Sequence, residues 1–200
     1  MSASPGAVVI PVKRFSDAKR RLAGFLDPIE REALARSMAT RVLAAAHGLQ
    51  VVVVSDDDDV ATWARSLGAH VVRDSAGGGL NGAVRAGVDA ARDRGAEQAV
   101  IIHADIPLAT SLQHVTAIDR HAALIVPDSR NDGTNVLVIP TDADVAFHYG
   151  PGSFALHHRA LVRLGLAVTV MPDAHLGADV DHPRDLAIAR RAGLWPFVAQ

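Results

Sequence analysis

The sequence has no cysteine, few aromatic residues (4%) and a formal net charge of only −2 over 200 residues. The absence of cysteine excludes disulfides, thiol nucleophiles and cysteine-ligated zinc. It does not indicate in which cellular compartment the protein lies. No apolar run approaches the ~20 residues of a membrane span, and Met1–Gly6 lack the basic and apolar segments of a secretory signal. The near-neutral charge argues against a general nucleic-acid or anionic-membrane binder. These absences predict a cytoplasmic protein with neither nucleic-acid nor membrane partners.

Several catalytic signatures are also missing. The sequence has no H-E-x-x-H, and the adjacent His157 and His158 would point about 100° apart on a helix, which makes a poor chelate. There is no Gly-x-Ser-x-Gly elbow, so serine-hydrolase chemistry is disfavoured. The loop that follows Val12 contains neither a P-loop motif nor a dinucleotide fingerprint. Any nucleotide chemistry must therefore depend on other residues.

Six short apolar runs, rich in valine and isoleucine, predict strands buried on both faces. They are Ala7–Val12, Leu49–Val54, Ala99–His103, Ala122–Pro127, Val136–Pro140 and Leu166–Met171. Segments of helical period lie between them. Helices are expected to begin around Asp27–Glu30 and Ser55–Asp58, and a third across Leu80–Ala91.

Alternating strands and helices favour an α/β fold with a mostly parallel central sheet and helices on both faces. The turn-rich segment Asp128–Gly133 lies between two strand-like runs, so a hairpin is expected to add one antiparallel strand. No internal repeat or linker is evident. The sequence predicts one domain over residues 1–200, with a core at about 7–192.

A basic loop follows the first predicted strand. Five of its nine residues are cations: Lys13, Arg14, Lys19, Arg20 and Arg21. In parallel sheets, ligands lie beyond the carboxyl ends of the strands, and lysine and arginine neutralise phosphate charge there. The loop is therefore a candidate polyphosphate site, although a solvated surface run would have the same composition.

Three aspartates form a candidate metal site. Asp105 comes two residues after a buried strand, and Asp179 and Asp181 would point the same way in an extended chain. Carboxylate oxygens are ligands that Mg²⁺ prefers. A turn aspartate at Asp105 and helix-start chemistry before Pro183 are the alternative interpretations.

A glycine-rich loop, Tyr149–Phe154, is a candidate anion site. Ser153 is expected to cap a helix running to about Leu164, and glycines before a helix let backbone N–H groups approach an anion. The segment Gly133–Asn135 could supply further donors. A plain loop with a helix cap is the alternative interpretation.

Taken in order, these segments resemble the phospholactate/phosphoenolpyruvate guanylyltransferase family of coenzyme F(420) biosynthesis. The resemblance runs from about residue 8 to 188. The matching pieces are Val12-Lys13, Ala18-Lys19, Arg21-Leu22, Leu80-Asn81, Ala104–Leu108, Gly133–Asn135, Gly150-Pro151, Ser153, Asp179–Asp181, Pro183 and Asp185-Leu186.

The resemblance implies a single-domain, Rossmann-like fold (GT-A-like), as in sugar-phosphate and molybdopterin nucleotidyltransferases, and a set of site residues. The residues expected to contact GTP are Lys13, Lys19, Arg21 and Asn81. Those expected to hold one or two Mg²⁺ are Asp105, Asp179 and Asp181. Those expected to hold the small phosphorylated acid are Thr134, Gly150 and Ser153. Asp105 and Lys19 are the expected catalytic residues.

The acid-binding loop, Gly150-Pro151-Gly152-Ser153, resembles the loop of bacterial members of the family. This resemblance favours phosphoenolpyruvate over 2-phospho-L-lactate and 3-phosphoglycerate as the acid. The chain departs from the family at Gly152, where an acidic residue is expected, and at Arg20, where a small residue is common. Both departures bear on the choice of acid. A cytidylyl or molybdopterin nucleotidyltransferase, a GT-A glycosyltransferase with an Asp-x-Asp metal site and a non-catalytic nucleotide-binding regulator are the rival interpretations. The enzyme interpretation depends on Asp105 lying near Asp179 and Asp181, and on Lys19 and Arg21 facing the same cleft.

Overall fold

The computed structural model describes residues 6–73 and 78–195. The prediction that no secretory signal begins the chain falls on residues 1–5, which lie outside the described part. Within the described residues, seven strands form one sheet. The strands are β1 (Gly6–Pro11), β2 (Gln50–Val54), β3 (His70–Val72), β4 (Gln98–Ile102), β5 (Ala123–Pro127), β6 (Thr134–Pro140) and β7 (Val168–Val170).

The sheet has the order β3-β2-β1-β4-β6-β5-β7, and β6 is antiparallel to both of its neighbours while the other pairs are parallel. The turn between β5 and β6 is too short for a parallel crossover, which needs a dozen or more residues. The Asp128 carboxylate stabilises this turn by accepting hydrogen bonds from the Arg130 and Asp132 amides, at 3.1 and 2.9 Å. The predicted antiparallel strand is confirmed.

The helices are α1 (Pro28–Ala45), α2 (Asp58–Ser66), α3 (Gly79–Asp93), α4 (Gln113–Thr116), α5 (Ser153–Arg163) and α6 (Leu186–Arg191). At the start of α1, the Asp27 carboxylate accepts from the Glu30 amide and the Glu30 carboxylate accepts from the Asp27 amide, both at 2.9 Å. This reciprocal capping box satisfies two amides that the helix itself leaves unpaired. No helix among the described residues has the length and apolarity needed to cross a membrane.

Two main hydrophobic clusters cover the two faces of the sheet. Side chains alternate along β1, so Val8 and Ile10 pack in the cluster that contains α1 and α2 residues, while Ala7 and Val9 pack with α3 and α5. A third, smaller cluster joins the chain after the basic loop to α1, α6 and Val180. The α/β fold with helices on both faces is therefore confirmed.

Two local features differ from the sequence predictions. The edge strand β3 has only three residues, too few for a detectable alternation. The expectation that Ser153 caps α5 is wrong: Gly152 is the N-cap residue, at φ +70°, with no side-chain capping bond, and Ser153 is the first helical residue. A left-handed backbone is free of Cβ strain in glycine, so Gly152 makes this helix entry without a side-chain cap.

Candidate active site

An open cleft runs along the carboxyl ends of β1, β2 and β4. One part, about 610 Å³, is lined by residues that include Lys13, Arg14 and Ser55. A neighbouring part, about 330 Å³, is lined by Lys19 and Asp105 among others, and Lys13 borders both parts. The sheet order changes direction between β1 and β4, which is the place where α/β sheets bind ligands.

The ammonium of Lys19 joins two of the three predicted aspartates. Its Nζ lies 2.7 Å from Asp105 Oδ2 and 3.1 Å from Asp181 Oδ1, although Lys19 and Asp181 are 162 residues apart in sequence. The Lys19 side chain is only 9% exposed, while Asp105 and Asp181 are 24% and 34% exposed. The three residues thus form one ion-paired group, of which Lys19 and Asp105 line the cleft.

Electrostatics keep Lys19 and Asp105 charged. Burial opposes the ammonium of Lys19, but the charges of Asp105 and Asp181 prevail and raise its pKa above the ordinary value. Burial likewise opposes ionisation of Asp105, and the charge of Lys19 nevertheless holds the pKa of that carboxyl below its ordinary value. A buried lysine that stays protonated is suited to neutralising phosphate charge.

Asp179 and Asp181 lie on either side of Val180, which is completely buried. The Val180 amide donates to the Asp105 carbonyl at 3.2 Å, so the two segments are held together through the backbone. Asp179 is held more loosely: Asn135 Nδ2 lies 3.5 Å from one carboxylate oxygen. Burial, together with the nearby charge of Asp105, raises the pKa of Asp179. The segment that carries Asp179 and Asp181 therefore lies beside Asp105, as the sequence predicts, while a shared metal ion stays a prediction.

The fit of this site to a divalent cation is mixed. Asp105 Oδ1 is buried without a hydrogen-bond partner, as expected for an oxygen that a cation would engage. In residues 6–73 and 78–195, however, no group of three or more acidic or histidine side chains is close enough to hold a metal ion. The Lys19 ammonium contacts both Asp105 and Asp181, at 2.7 and 3.1 Å. Mg²⁺ binding therefore stays a prediction.

The basic loop is divided between the cleft and the surface. Lys19 adopts a left-handed backbone conformation (φ +53°), which is uncommon without glycine. Arg21 also faces the aspartates, with Nη1 3.3 Å from Asp181 Oδ2. Arg14 instead pairs with Asp57 at the start of α2 at 2.8 Å. Arg20 pairs with a neighbouring aspartate on the exposed surface, so the surface-run interpretation holds for Arg20.

The predicted acid-binding residues lie on two segments that meet. The Phe154 amide donates to the Asp132 carbonyl at 3.0 Å, which brings the loop before α5 against the β5–β6 turn. Thr134 and Ser153 are only 1% and 2% exposed, whereas Gly150 is exposed. The glycine backbone is thus more accessible to solvent than either hydroxyl.

Asn81 lies at the start of α3 and contacts the same loop. Its Oδ1 accepts a hydrogen bond from the Tyr149 amide at 2.7 Å. The predicted nucleotide-binding residue is therefore engaged with the segment that leads to the acid loop, and its amide nitrogen has no protein partner among the described residues. Asn81 follows Leu80, which lines both parts of the cleft, and thus connects α3 to the predicted acid loop.

Comparison with known proteins agrees with this geometry. The family model described as "Guanylyl transferase CofC like" matches residues 6–189, nearly the whole chain. The chain belongs to the CofC-like guanylyl transferase family. Guanylyl transfer, predicted from the ordered motifs, is thereby confirmed as the activity class of this CofC-like chain.

Curated relatives of the CofC-like chain carry guanylyltransferase names. It is 36% identical over 192 residues to the phosphoenolpyruvate guanylyltransferase of Rubrobacter xylanophilus, covering 92% of this chain and 93% of that one. It is 32% identical over 182 residues to the 2-phospho-L-lactate guanylyltransferase of Methanothermobacter thermautotrophicus, covering 89% and 81%.

Solved structures share the fold of the CofC-like chain. A putative nucleotide-diphospho-sugar transferase from Desulfovibrio desulfuricans matches with a TM-score of 0.71 at 19% identity, over 95% of this chain and 88% of that one. A nucleotidyl transferase from Methanothermobacter thermautotrophicus matches with a TM-score of 0.67 at 20% identity, over 94% and 97%. The predicted nucleotidyltransferase architecture is confirmed.

Two residues near the predicted site, Arg130 and His157, were not predicted from the sequence. Arg130, in the β5–β6 turn, reaches Asp179 at 3.8 Å as well as Asp128 at 3.3 Å. His157 is completely buried and lies 3.0 Å from the Thr134 hydroxyl. The spacing of Ser153, His157 and Leu161 could have revealed it, because residues four apart share one helix face and all three are buried.

Proposed function

We propose that this CofC-like enzyme transfers the guanylyl group of GTP to phosphoenolpyruvate, releasing pyrophosphate. One observation carries the proposal: Lys19, which lines the cleft, joins Asp105 and Asp181, so a cation for phosphate and carboxylates for a metal ion lie together. The continuous seven-stranded sheet supports a single catalytic domain over residues 1–200. GTP and small phosphorylated acids are cytoplasmic metabolites, so the cytoplasm is the compartment we propose.

In the proposed reaction, a phosphate oxygen of the acid attacks the α-phosphorus of GTP. A new P–O bond forms, the bond from the α-phosphorus to the bridging oxygen breaks, and pyrophosphate leaves with that electron pair. The acid's phosphate is already ionised at neutral pH, so no side chain need remove a proton. Lys13, Lys19 and Arg21 would neutralise the triphosphate, and catalysis would come from positioning and charge.

Asp105, Asp179 and Asp181 are the residues that would hold Mg²⁺. When bound, the ion would neutralise phosphate charge and orient the α-phosphate. Asp105 Oδ1, buried and without a partner, supports this assignment. Lys19 would then be free to turn from the aspartates toward the phosphates.

The acceptor would bind where the loop before α5 meets the β5–β6 turn. Gly150 has φ +133° and Gly152 has φ +70°, so this backbone can present N–H groups without Cβ obstruction. Thr134 and Ser153 would contact the acid from beneath the loop. Phosphoenolpyruvate is favoured because relatives with that name reach 36% identity, against 32% for the 2-phospho-L-lactate enzymes.

The test is a panel of nucleotides and acids, scored by pyrophosphate release and by mass detection of the adduct. GTP with phosphoenolpyruvate should give the highest kcat/KM, and 2-phospho-L-lactate and 3-phosphoglycerate should be weaker. Preference for CTP or a pterin phosphate would replace the proposal with another nucleotidyltransferase. Hydrolysis of a nucleotide sugar without pyrophosphate would indicate a glycosyltransferase, and GTP binding without turnover a regulator.

Substitutions test the aspartate assignment. Asp105→Asn and Asp181→Asn should each lower turnover by about 10²–10³-fold, the scale for losing one preorganised charge contact. Asp144→Asn is the matched control, because this aspartate is 98% exposed and lies outside the residues lining the cleft. Wild-type turnover in both Asp105→Asn and Asp181→Asn would overturn the assignment.

A further inference from the structure

Two consecutive backbone amides in the loop before α5 are held by side chains from different helices. The His148 amide donates to His157 Nε2 of α5 at 2.9 Å. The next amide, of Tyr149, donates to Asn81 Oδ1 of α3 at 2.7 Å. The chain is thus fixed immediately before Gly150.

The bond to His148 determines the tautomer of His157. A backbone N–H is a donor only, so Nε2 must be the acceptor and carry no hydrogen. In a neutral ring the hydrogen then lies on Nδ1, which donates to Thr134 Oγ1 at 3.0 Å. His157 is completely buried, and burial together with nearby His148 and His103 lowers its pKa to about 4, so the ring is neutral at pH 7.

The loop needs such an anchor. Gly150 and Gly152 both have positive φ, and glycine has more backbone conformations to choose from than other residues. Beyond the glycines, the loop is fixed again where the Phe154 amide donates to the Asp132 carbonyl. The stretch between these fixed points is short, so the bonds at His148 and Tyr149 together set where the Gly150 backbone lies.

We propose that His157 is a positioning residue for the acceptor acid: by accepting the His148 N–H, it places the Gly150–Ser153 backbone that receives the acid. This inference rests on the proposed function only in taking that loop as the acceptor site. His157 itself does not touch the substrate, and it acts through the loop. The group positioned is an anion-binding backbone, so the affected substrate is the phosphorylated acid and not GTP.

Two near-isosteric variants separate the two bonds of His157. His157→Gln places an amide oxygen near the Nε2 position, so the bond from the His148 amide is retained. His157→Asn reaches only the Nδ1 position, so the Thr134 contact is retained and the His148 bond is lost. His158→Asn is the matched control, because His158 is the next residue of the same helix and only partly buried.

In steady-state assays with GTP and phosphoenolpyruvate, His157→Asn should raise the KM of the acid about tenfold, the scale of one lost buried hydrogen bond. The KM of GTP should be unchanged and His158→Asn should match the wild type. His157→Gln, which keeps the His148 bond and loses only the contact to Thr134, should raise the acid KM less than His157→Asn does. An equal rise in the acid KM for His157→Gln and His157→Asn would overturn the inference, because a merely structural histidine would be sensitive to both.

Amide hydrogen exchange gives a readout independent of turnover. In the wild type, the His148 and Tyr149 amides should both be protected. In His157→Asn, His148 should lose protection, while in His157→Gln it should keep it. Unprotected His148 in the wild type would overturn the inference even if neither variant folds. A wild type that shows the protection but no turnover with any acid would instead refute the proposed function, so the two failures are distinct.

Discussion

Replacing Lys19 by methionine should destabilise the protein measurably. Removing one partner of a well-buried ion pair costs about 3–5 kcal/mol. Asp105 and Asp181 are 24% and 34% exposed, so water screens the uncompensated charges, and Arg21 still contacts Asp181. We therefore expect a loss of about 2 kcal/mol in the free energy of unfolding. For a chain of this size, that lowers Tm by about 4–8 °C.

The sequence supplies a matched control, because Lys13 is its only other lysine. Lys13 is exposed, so Lys13→Met should change the free energy of unfolding by no more than about 0.5 kcal/mol. Thermal unfolding followed by circular dichroism at pH 7 would measure both variants. Equal Tm values for Lys19→Met and the wild type would refute the description of Lys19 as a buried partner of the aspartates.

The pH dependence gives a second check on Lys19. The aspartates raise its pKa above the ordinary value of 10.5. A raised pKa means that the ion pair contributes its full stabilisation below pH 10.5 and loses it as the pH rises through the higher pKa of the folded protein. The Tm difference between wild type and Lys19→Met should therefore be constant between pH 7 and about 10, and shrink only above that range. A difference that disappears near neutral pH would contradict the assigned direction.

Three further predictions concern stability. Gly87→Ala should lower the free energy of unfolding by about 1–3 kcal/mol, because a Cβ there would lie 2.4 Å from a β1 side-chain carbon. On the same helix, a Cβ at Gly82 would meet no atom within 4 Å, so Gly82→Ala should raise the free energy of unfolding by up to about 1 kcal/mol. Urea titration would measure both variants, and equal effects would contradict this prediction. The pKa of His157 is lowered from 6.5 to about 4, so the unfolded chain takes up a proton at a higher pH than the folded protein does. The stability of the wild type relative to His157→Gln should therefore fall by up to about 3 kcal/mol as the pH drops from 6.5 to 4. A constant difference in urea midpoint over that range would refute this prediction. Asp27→Ala removes the α1 cap and should cost about 1 kcal/mol, and an unchanged Tm would mean that the bond to Glu30 contributes nothing.

Much of the fold could be predicted from local pattern. The apolar runs locate six of the seven strands to within one or two residues, since strands buried on both faces are almost wholly apolar. The short turn at Asp128–Gly133 predicted that β6 runs antiparallel. Because it does, the beginning of β6, with Thr134 and Asn135, lies at the carboxyl edge of β4, next to the residues after Ile102.

The three aspartates could be placed on one edge of the sheet, but their partner could not. Lys19 was assigned to the triphosphate from its charge and its position after β1. Its contact with Asp105 and Asp181 depends on the left-handed backbone of Lys19 and on bringing together residues as far as 162 positions apart in the sequence. A local sequence pattern predicts neither. Ser153 failed as a cap because the positive φ available to Gly152 decided where the helix begins.

Because β6 runs antiparallel, the two predicted substrate regions are built mostly from different halves of the chain. The cavities assigned to the nucleotide are lined by residues between 11 and 105, whereas the acceptor loop and turn come from residues between 128 and 154. Mutations confined to residues 128–154 would therefore leave the residues that line the two cavities unchanged. A hybrid enzyme joined between β4 and β5 would have to preserve the contacts that cross this junction. They include the bond from the Val180 amide to the Asp105 carbonyl, the ion pair of Lys19 with Asp181 and the bond from the Tyr149 amide to Asn81.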